Sequence, residues 1–326
     1  MSVKNTFREI TIKNAQKQME LVDSVLENAP ILSLMPVQPT SSGLQHLYEE
    51  LLDVEGPGLV DLDDELPEIT SNTKIGTANM QLIGGKVKVG QDKVRQLGMT
   101  PQAYFAQKIG PALKESAMRT EKGMLYNHMR AFAINTRNED KIAGAERNAI
   151  SAGGSGSTNY SIISVRWEPG QFYGLYNPKG YGQGYMFNME LLYDGALGNI
   201  KVGDKEIPGY EMVVKADFGI LTANPRNAST IVNIDVSDAD PDNWSIPTSY
   251  QIDDMLHAIR ANSGGSSMIY CHPKVKSTVF SKFKIDKVEM VLGDTDIRFM
   301  VDAWDGIPII TSWNFMEGDE AAVTFA

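Results

Sequence analysis

The sequence predicts an α+β fold, on three observations. Helical and strand-like patterns are interspersed along the chain without a regular β-α-β repeat. One stretch, residues 100–133, carries a helix-opening signal and a long apolar stripe. Short apolar runs bounded by glycine, asparagine and proline recur through the second half of the chain.

In chain order, residues 7–27 set Ile10, Met19, Val22, Val25 and Leu26 among Lys, Gln and Glu, the pattern of an amphipathic helix. Asn28-Ala-Pro30 stops it, and residues 31–37, held between Pro30 and Pro36, are expected to run extended and dock on the body. A short helix is expected within 43–54, and Gly56-Pro57-Gly58 breaks the chain after it. Residues 79–93 predict a hairpin. Met80 and Leu82 alternate with polar residues, Gly84-Gly85 supplies a two-residue turn, and Lys86-Val87-Lys88-Val89 alternates on the return. Edge lysines Lys86 and Lys88 would discourage indiscriminate strand addition.

Thr100-Pro101 is a cap followed by a first-turn proline, and the helix it opens meets Gly110-Pro111, where a kink or restart is expected. From 111 to 133, Leu113, Ala117, Met124, Leu125, Met129 and Phe132 form the stripe of a helix about 35 Å long at 1.5 Å per residue. Glu115 and Arg119 add an i,i+4 pair. Residues 151–158, rich in glycine and serine, read as a flexible linker or loop. Strands are expected at 212–216 and 230–236, with a turn at Asn224-Pro225-Arg226-Asn227, while the glycine and tyrosine tract at 172–185 has no assigned role. Ile252, Met255, Leu256 and Ile259 define a helix from Thr248, closed by Ser263-Gly264-Gly265. A buried strand at 268–271, a helix at 273–283 and two strands, 297–301 and 307–311, around Asp305-Gly306 complete the chain.

Composition removes several function classes. No apolar run in the 326 residues approaches the roughly 20 needed to span a bilayer, so no membrane partner is expected. Residues 1–12 lack the apolar core of a secretory signal, which points to a cytoplasmic protein. A net charge of -11 argues against tight, sequence-specific nucleic-acid binding. The charge is uneven: residues 44–70 carry nine acids and no Lys or Arg, whereas 74–95 carries five bases and one acid, a polarity suited to complementary surfaces or to a solvated loop.

The search for chemistry returns no catalytic residue, no metal site and no cofactor. Cys271 and His272 are neighbours on a strand, so their side chains should diverge, and Cys271 reads as a small buried hydrophobe. His46, His128 and His257 are scattered. The acidic run 235–243 alternates carboxylates as a calcium loop does, but lacks the glycine and distal glutamate of an EF-hand and reads as a solvated turn. The glycine tracts match no phosphate-binding loop. Trp167, Trp244, Trp304 and Trp313 read as core or interface anchors, although with the many acids they leave a carboxylate-pair hydrolase as a formal alternative.

Segment order carries the positive evidence. The pieces are the N-terminal helix ending in Glu-Asn-Ala-Pro-Ile-Leu-Ser-Leu-Met-Pro at 27–36, the acidic segment and hairpin at 44–95, and the long helix. To these add Ala-Asp-Phe-Gly-Ile-Leu-Thr-Ala-Asn-Pro-Arg at 216–226 and the ending Phe-Met-Val-Asp-Ala-Trp-Asp-Gly-Ile-Pro-Ile-Ile-Thr at 299–311. Together these resemble the Hong Kong 97-like major capsid proteins of tailed bacteriophages. The resemblance implies an N-terminal arm (1–42), an extended loop (43–97), a peripheral domain with a spine helix (98–165), an axial domain with an insertion (166–290), and strands returning to the peripheral domain (291–326).

It also implies a shell subunit forming pentamers and hexamers of an icosahedral head, assembled in the host cytoplasm and located in the virion capsid. The partners it implies are other copies of the chain, a scaffolding protein, a portal, a possible cement protein and nonspecifically packaged dsDNA. An encapsulin-like cellular compartment is the alternative with the same fold. Candidate contacts between subunits are Asp61, Asp63, Asp64 and Glu65 against Lys86, Lys88, Lys93 and Arg95, and Lys4, Arg8, Lys13 and Lys17 would face the shell interior. On this reading, reversing Lys86 and Lys88 to Glu should impair assembly without unfolding the subunit.

Overall fold

The computed structural model describes residues 2–3, 28–54, 71–177, 187–192, 197–261, 267–283, 285–292 and 298–325. The amphipathic helix expected at 7–27, the acidic segment at 55–70, most of the 172–185 tract and the Ser263-Gly264-Gly265 stop lie outside them.

An eight-stranded sheet is the centre of the molecule. Its strands, in spatial order, are β1 (Ser2–Val3), β14 (Asp286–Leu292), β15 (Arg298–Trp304), β16 (Ile307–Thr311), β13 (Ser267–Cys271), β7 (Asn159–Arg166), β12 (Ala228–Asp235) and β6 (Ala149–Ser151). β13 runs parallel to β16 and antiparallel to β7, and β7 is antiparallel to β12. The strands at its middle are apolar on both faces. On β13, Met268 and Tyr270 join one core, while Ile269 and Cys271 join a second. The second core is covered by the helix Ser249–Ala258, which contributes Ile252, Met255 and Leu256, and by Pro273–Thr278, which contributes Val275.

The first core lies under a helical rod and a second sheet. The rod runs without interruption from Pro101 to Asn138 as an α-helix (Pro101–Gly123), a π-helical segment (Met124–Arg130) and a further α-helix (Ala131–Asn138), roughly 55 Å at about 1.5 Å per residue. The side chain of Thr100 accepts a hydrogen bond from the Ala103 N–H, as the cap signal predicts. The helix does not restart at Gly110-Pro111. Pro111 sits inside it, where it forfeits the bond its own N–H would have made. The expected stripe is buried at Ala117, Met124, Leu125 and Met129.

The second sheet is organised by β11 (Lys205–Thr222). It pairs with β5 (Gln81–Gly90), β8 (Phe172–Tyr176), β9 (Phe187–Leu192) and β10 (Gly198–Val202), while β2 (Val37–Pro39) pairs with β8. The long partner explains why the predicted hairpin at 79–93 does not form. β5 runs straight through Gly84-Gly85, which lie opposite Lys215 and Val214 of β11, and the chain then turns into the short helix Gln91–Gln96. The real hairpin lies earlier, between β3 (Gln45–Val54) and β4 (Ser71–Asn79). β3 replaces the helix expected at 43–54. Its glutamates and leucines favour a helix locally, but pairing along β4 and packing of Tyr48 and Ala78 on Tyr173, Leu175 and Leu221 override that preference.

Three further expectations change. Residues 30–34 form one helical turn, Pro30–Leu34, and the extended chain begins only after it. The helix at Ser249–Ala258 carries the capping box of Thr248 and Gln251 but ends before the glycines. Arg260 takes the left-handed conformation (φ 49°), with Arg260 N–H bonded to the His257 carbonyl and Ala261 N–H to that of Leu256. The predicted helix at 273–283 is split into Pro273–Thr278 and a 3-10 turn, Phe280–Lys282. The turn at Asp305-Gly306 is as expected, with both residues at positive φ.

Residues 151–158 are a loop within the sheet, joining β6 to β7, and not a linker. Gly154 is buried there, and its N–H bonds the Asn233 carbonyl at 2.8 Å. A Cβ at this position would stand 2.6 Å from Asn159 Oδ1 and 2.7 Å from the Asn233 carbonyl oxygen. Gly154→Ala is therefore expected to lower the unfolding free energy by about 2 kcal/mol, measurable as a reduced urea midpoint.

Candidate assembly surfaces and a buried carboxylate latch

Two buried carboxylates tie the chain ends to the rod. Glu121 lies on the apolar stripe between Ala117 and Met124 and is wholly buried. One of its oxygens accepts the backbone N–H groups of Ile31 and Leu32, each at 2.9 Å. The other accepts the Ser312 hydroxyl and the Asn314 side-chain amide, the latter at 2.9 Å. Asn314 in turn donates to the Asn28 carbonyl at 2.8 Å. The turn Pro30–Leu34 is helical because Glu121 accepts its free N-terminal donors, which an extended segment would not present together. Burial pushes the Glu121 carboxyl above its ordinary range, and the four donors act against that shift.

Glu320 makes the second tie. It accepts the Tyr126 hydroxyl at 2.6 Å and the Ser161 hydroxyl, and Arg130 approaches it at 3.4 Å. Both Tyr126 and Arg130 belong to the π-helical segment. Burial raises the Glu320 carboxyl, with Arg130 opposing, and burial together with the charge of Glu320 holds the Tyr126 phenol far above its usual range. Further along, the Asn233 side chain bonds both the N–H and the carbonyl of Val323 at 2.8 Å, and Phe325 stacks on Arg137.

None of this is arranged for catalysis. Cys271 is fully buried in the second core, and burial pushes its thiol up to about 12, away from the reactive thiolate. His272 points elsewhere and caps the following helix, its Nδ1 accepting the Lys274 N–H at 3.1 Å. In the acidic run, Asp235, Asp238 and Asp240 accept the backbone N–H groups of Ser237, Asp240 and Asp242. Among the described residues no group of three His, Cys, Asp or Glu side chains could hold a metal ion.

A sequence model of the major capsid protein GP7 family matches residues 98–324, more than two thirds of the chain. The chain belongs to this family. It is a phage shell protein, structural and not enzymatic, which removes the hydrolase alternative and favours a virus head over a cellular compartment. No curated protein matches it. Its structure is similar to that of bacteriophage Epsilon15, with 18% identity and a TM-score of 0.53 over 88% of each chain, which bears out the α+β, Hong Kong 97-like fold. More distant likenesses are the bacteriophage JBD30 capsid, with 10% identity and a TM-score of 0.40 over 93% of this chain and 98% of that one, and the SrpI encapsulin of Synechococcus elongatus. The encapsulin shares 12% identity, with a TM-score of 0.41 over 65% and 89%.

In this capsid protein the expected contact residues are dispersed. Lys86 and Lys88 are not free cations awaiting a neighbour, because both face Glu211 of the same chain, at 3.0 and 3.6 Å, and Lys88 also donates to the Lys201 carbonyl. Glu211 is nearly buried, on the strand opposite. Lys93 and Arg95 are exposed on the helix Gln91–Gln96. Asp61, Asp63, Asp64, Glu65, Lys4, Arg8, Lys13 and Lys17 lie outside the described residues, and the eight-stranded sheet runs across the expected domain boundaries at 165/166 and 290/291.

Glu121 and Glu320 were not among the sequence candidates. Glu121 did leave a signal, an acid on an otherwise apolar helical stripe.

Two outcomes are expected. Glu121→Ala leaves the Ile31 and Leu32 N–H groups buried without an acceptor and should cost about 3 kcal/mol, read by urea unfolding, with faster amide exchange at those two positions. Reversing Lys86 and Lys88 to Glu surrounds Glu211 with like charge and should destabilise the isolated subunit by about 2 kcal/mol. An unchanged melting curve would restore the simpler view that these lysines serve only a neighbour.

Proposed function

We propose that the chain builds the icosahedral head of a tailed dsDNA phage through pentamers and hexamers, assembled in the host cytoplasm with a scaffolding protein, a portal and a cement protein. The observation that carries this reading is the β3–β4 hairpin. A two-stranded ribbon is marginal alone in water. This one is held at its base, where His46 bonds Tyr173 and where Tyr48 and Ala78 pack on the body. On its opposite face Leu47 and Ile75 are 54% and 76% exposed, and the register puts both on one side, since Leu47 faces Thr77 and Ile75 faces Glu49. A ribbon with that face uncovered gains its missing contacts by lying on an adjacent subunit.

In this scheme the acidic segment with Asp61, Asp63, Asp64 and Glu65 lies against Lys93 and Arg95 of a neighbour, and Lys4, Arg8, Lys13 and Lys17 face the genome or scaffold through salt-sensitive contacts. Replacing Leu47 and Ile75 with Ser should leave subunit stability within about 0.5 kcal/mol while sharply lowering the yield of closed shells in negative-stain micrographs. Shells of normal number and size from this variant would overturn the role given to the hairpin.

A further inference from the structure

The β3–β4 ribbon is joined to the body through a side chain that can change its charge. His46, at the start of β3, uses both ring nitrogens. Its Nδ1 accepts the Ser41 N–H at 3.2 Å, and its Nε2 lies 3.1 Å from the Tyr173 hydroxyl. Because Nδ1 accepts, Nε2 carries the ring proton and donates to Tyr173. The imidazole therefore fits this place only while neutral. Protonation would put an N–H on Nδ1 aimed at the N–H of Ser41, replacing a hydrogen bond with two opposed donors.

The bonds around the ring show what it closes. The Thr40 N–H bonds the Tyr176 carbonyl, which fixes the incoming chain to β8, and the Thr40 hydroxyl donates to the Gly43 carbonyl. Next in line, Ser41 donates its N–H to His46 and accepts the Leu47 N–H on its hydroxyl at 3.0 Å. Ser41 and His46 thus clasp the turn by which the chain leaves the body for the ribbon, and Tyr173 ties the same ring to the body. The neighbouring contact is apolar, Tyr48 and Ala78 on Tyr173, Leu175 and Leu221. An apolar contact permits sliding and tilting that a two-sided hydrogen-bonded clasp does not.

Among the described residues nothing near the ring is placed to compensate a cation. Tyr173 faces it from β8, Tyr48 shares its side of β3, and Ala78 lies opposite on β4. By register, the first charged positions on that side of the ribbon are Glu50 and Lys74, four residues further along, about 13 Å away. Burial, with no charge contributing, holds the imidazole below its ordinary range. The folded chain favours the neutral ring, so the stability His46 contributes is present above its ordinary value and is lost as pH falls through the depressed one.

We propose that His46 is a proton-operated joint, which when neutral holds the ribbon at a set angle to the body and when protonated lets it swing about its base, with β3 and β4 still paired. Its weight in assembly rests on the ribbon being the part that meets an adjacent subunit. The joint is tested on the unassembled full-length chain, so its failure leaves that reading in place, and normal shells from the Leu47 and Ile75 serine variant would remove the reading without touching the joint.

Cys271 is the sole cysteine and is fully buried, whereas Ile75 is 76% exposed, so a fluorophore on Ile75→Cys reports the ribbon alone. Time-resolved anisotropy and amide exchange are followed from about pH 8 to about pH 5. The amplitude of ribbon motion should rise reversibly, with a midpoint below the ordinary histidine value. Corrected for the intrinsic effect of pH, exchange of the Ser41 and Leu47 amides should quicken at least about threefold, while the amides between β3 and β4 change by less than about twofold. His46→Asn, which keeps an acceptor close to the place of Nδ1 and cannot titrate, should abolish the pH response, and His46→Phe should show the freed motion at every pH. A ribbon equally restrained at both ends of the range, a pH response that survives in His46→Asn or His46→Phe, or loss of β3–β4 protection along with the clasp would overturn the proposal.

Discussion

The fold depends on the burial of one carboxylate among four donors. Glu121 gathers the Pro30–Leu34 turn, the rod and the segment after β16 at a single point, so that residues nearly 300 positions apart in sequence share one hydrogen-bond network. A carboxylate in an apolar core is costly unless its lone pairs are filled, and here each oxygen has two donors. Shared satisfaction couples the parts: withdrawal of any one leaves the others buried and incompletely bonded. Glu320 repeats the arrangement one and a half turns further along the rod, where the π-helical backbone presents Tyr126 and Arg130 together to the C-terminal segment.

These ties suit a subunit that must be stiff in its body and adaptable at its margins. The rod, the two sheets and the segments fixed to them share continuous cores. Among the described residues, the β3–β4 hairpin packs on the body at its base, where Tyr48 and Ala78 meet Tyr173, Leu175 and Leu221. Rigid cores keep subunit shape constant, while a ribbon pinned at one end can meet neighbours at slightly different angles.

Much of the architecture was legible in the chain, and the failures share a cause. The cap at Thr100, the stripe from Ala117 to Met129, the spacing of Ile252, Met255, Leu256 and Ile259 and the turn at Asp305-Gly306 are local signals and gave the elements observed. The predicted hairpin at Gly84-Gly85 failed because β11, more than a hundred residues later, pairs straight across both glycines. The helix expected near Leu47 failed because β4 and Tyr173 lie outside any local window. The same limit applies to sites. Lys86 and Lys88 looked available until Glu211 was placed opposite them, and Glu121 could be noticed as an oddity on its stripe while its partners at Ile31 and Ser312 could not.

The position of β16 in the sheet has a consequence for biogenesis. β16 follows every other strand in sequence, yet it lies between β15 and β13, near the middle of the sheet. During synthesis the earlier strands emerge with a gap where β16 belongs, and both sides of that gap stay unpaired until β16 itself is made. Glu121 likewise waits for Ser312 and Asn314, which follow β16 directly. A nascent chain that has not yet reached Asn314 thus has neither its central sheet nor its latch, so competence to join a growing shell arrives only after β16 has been made. On such a schedule a chain that stops short of β16 lacks the rigid body a lattice position requires.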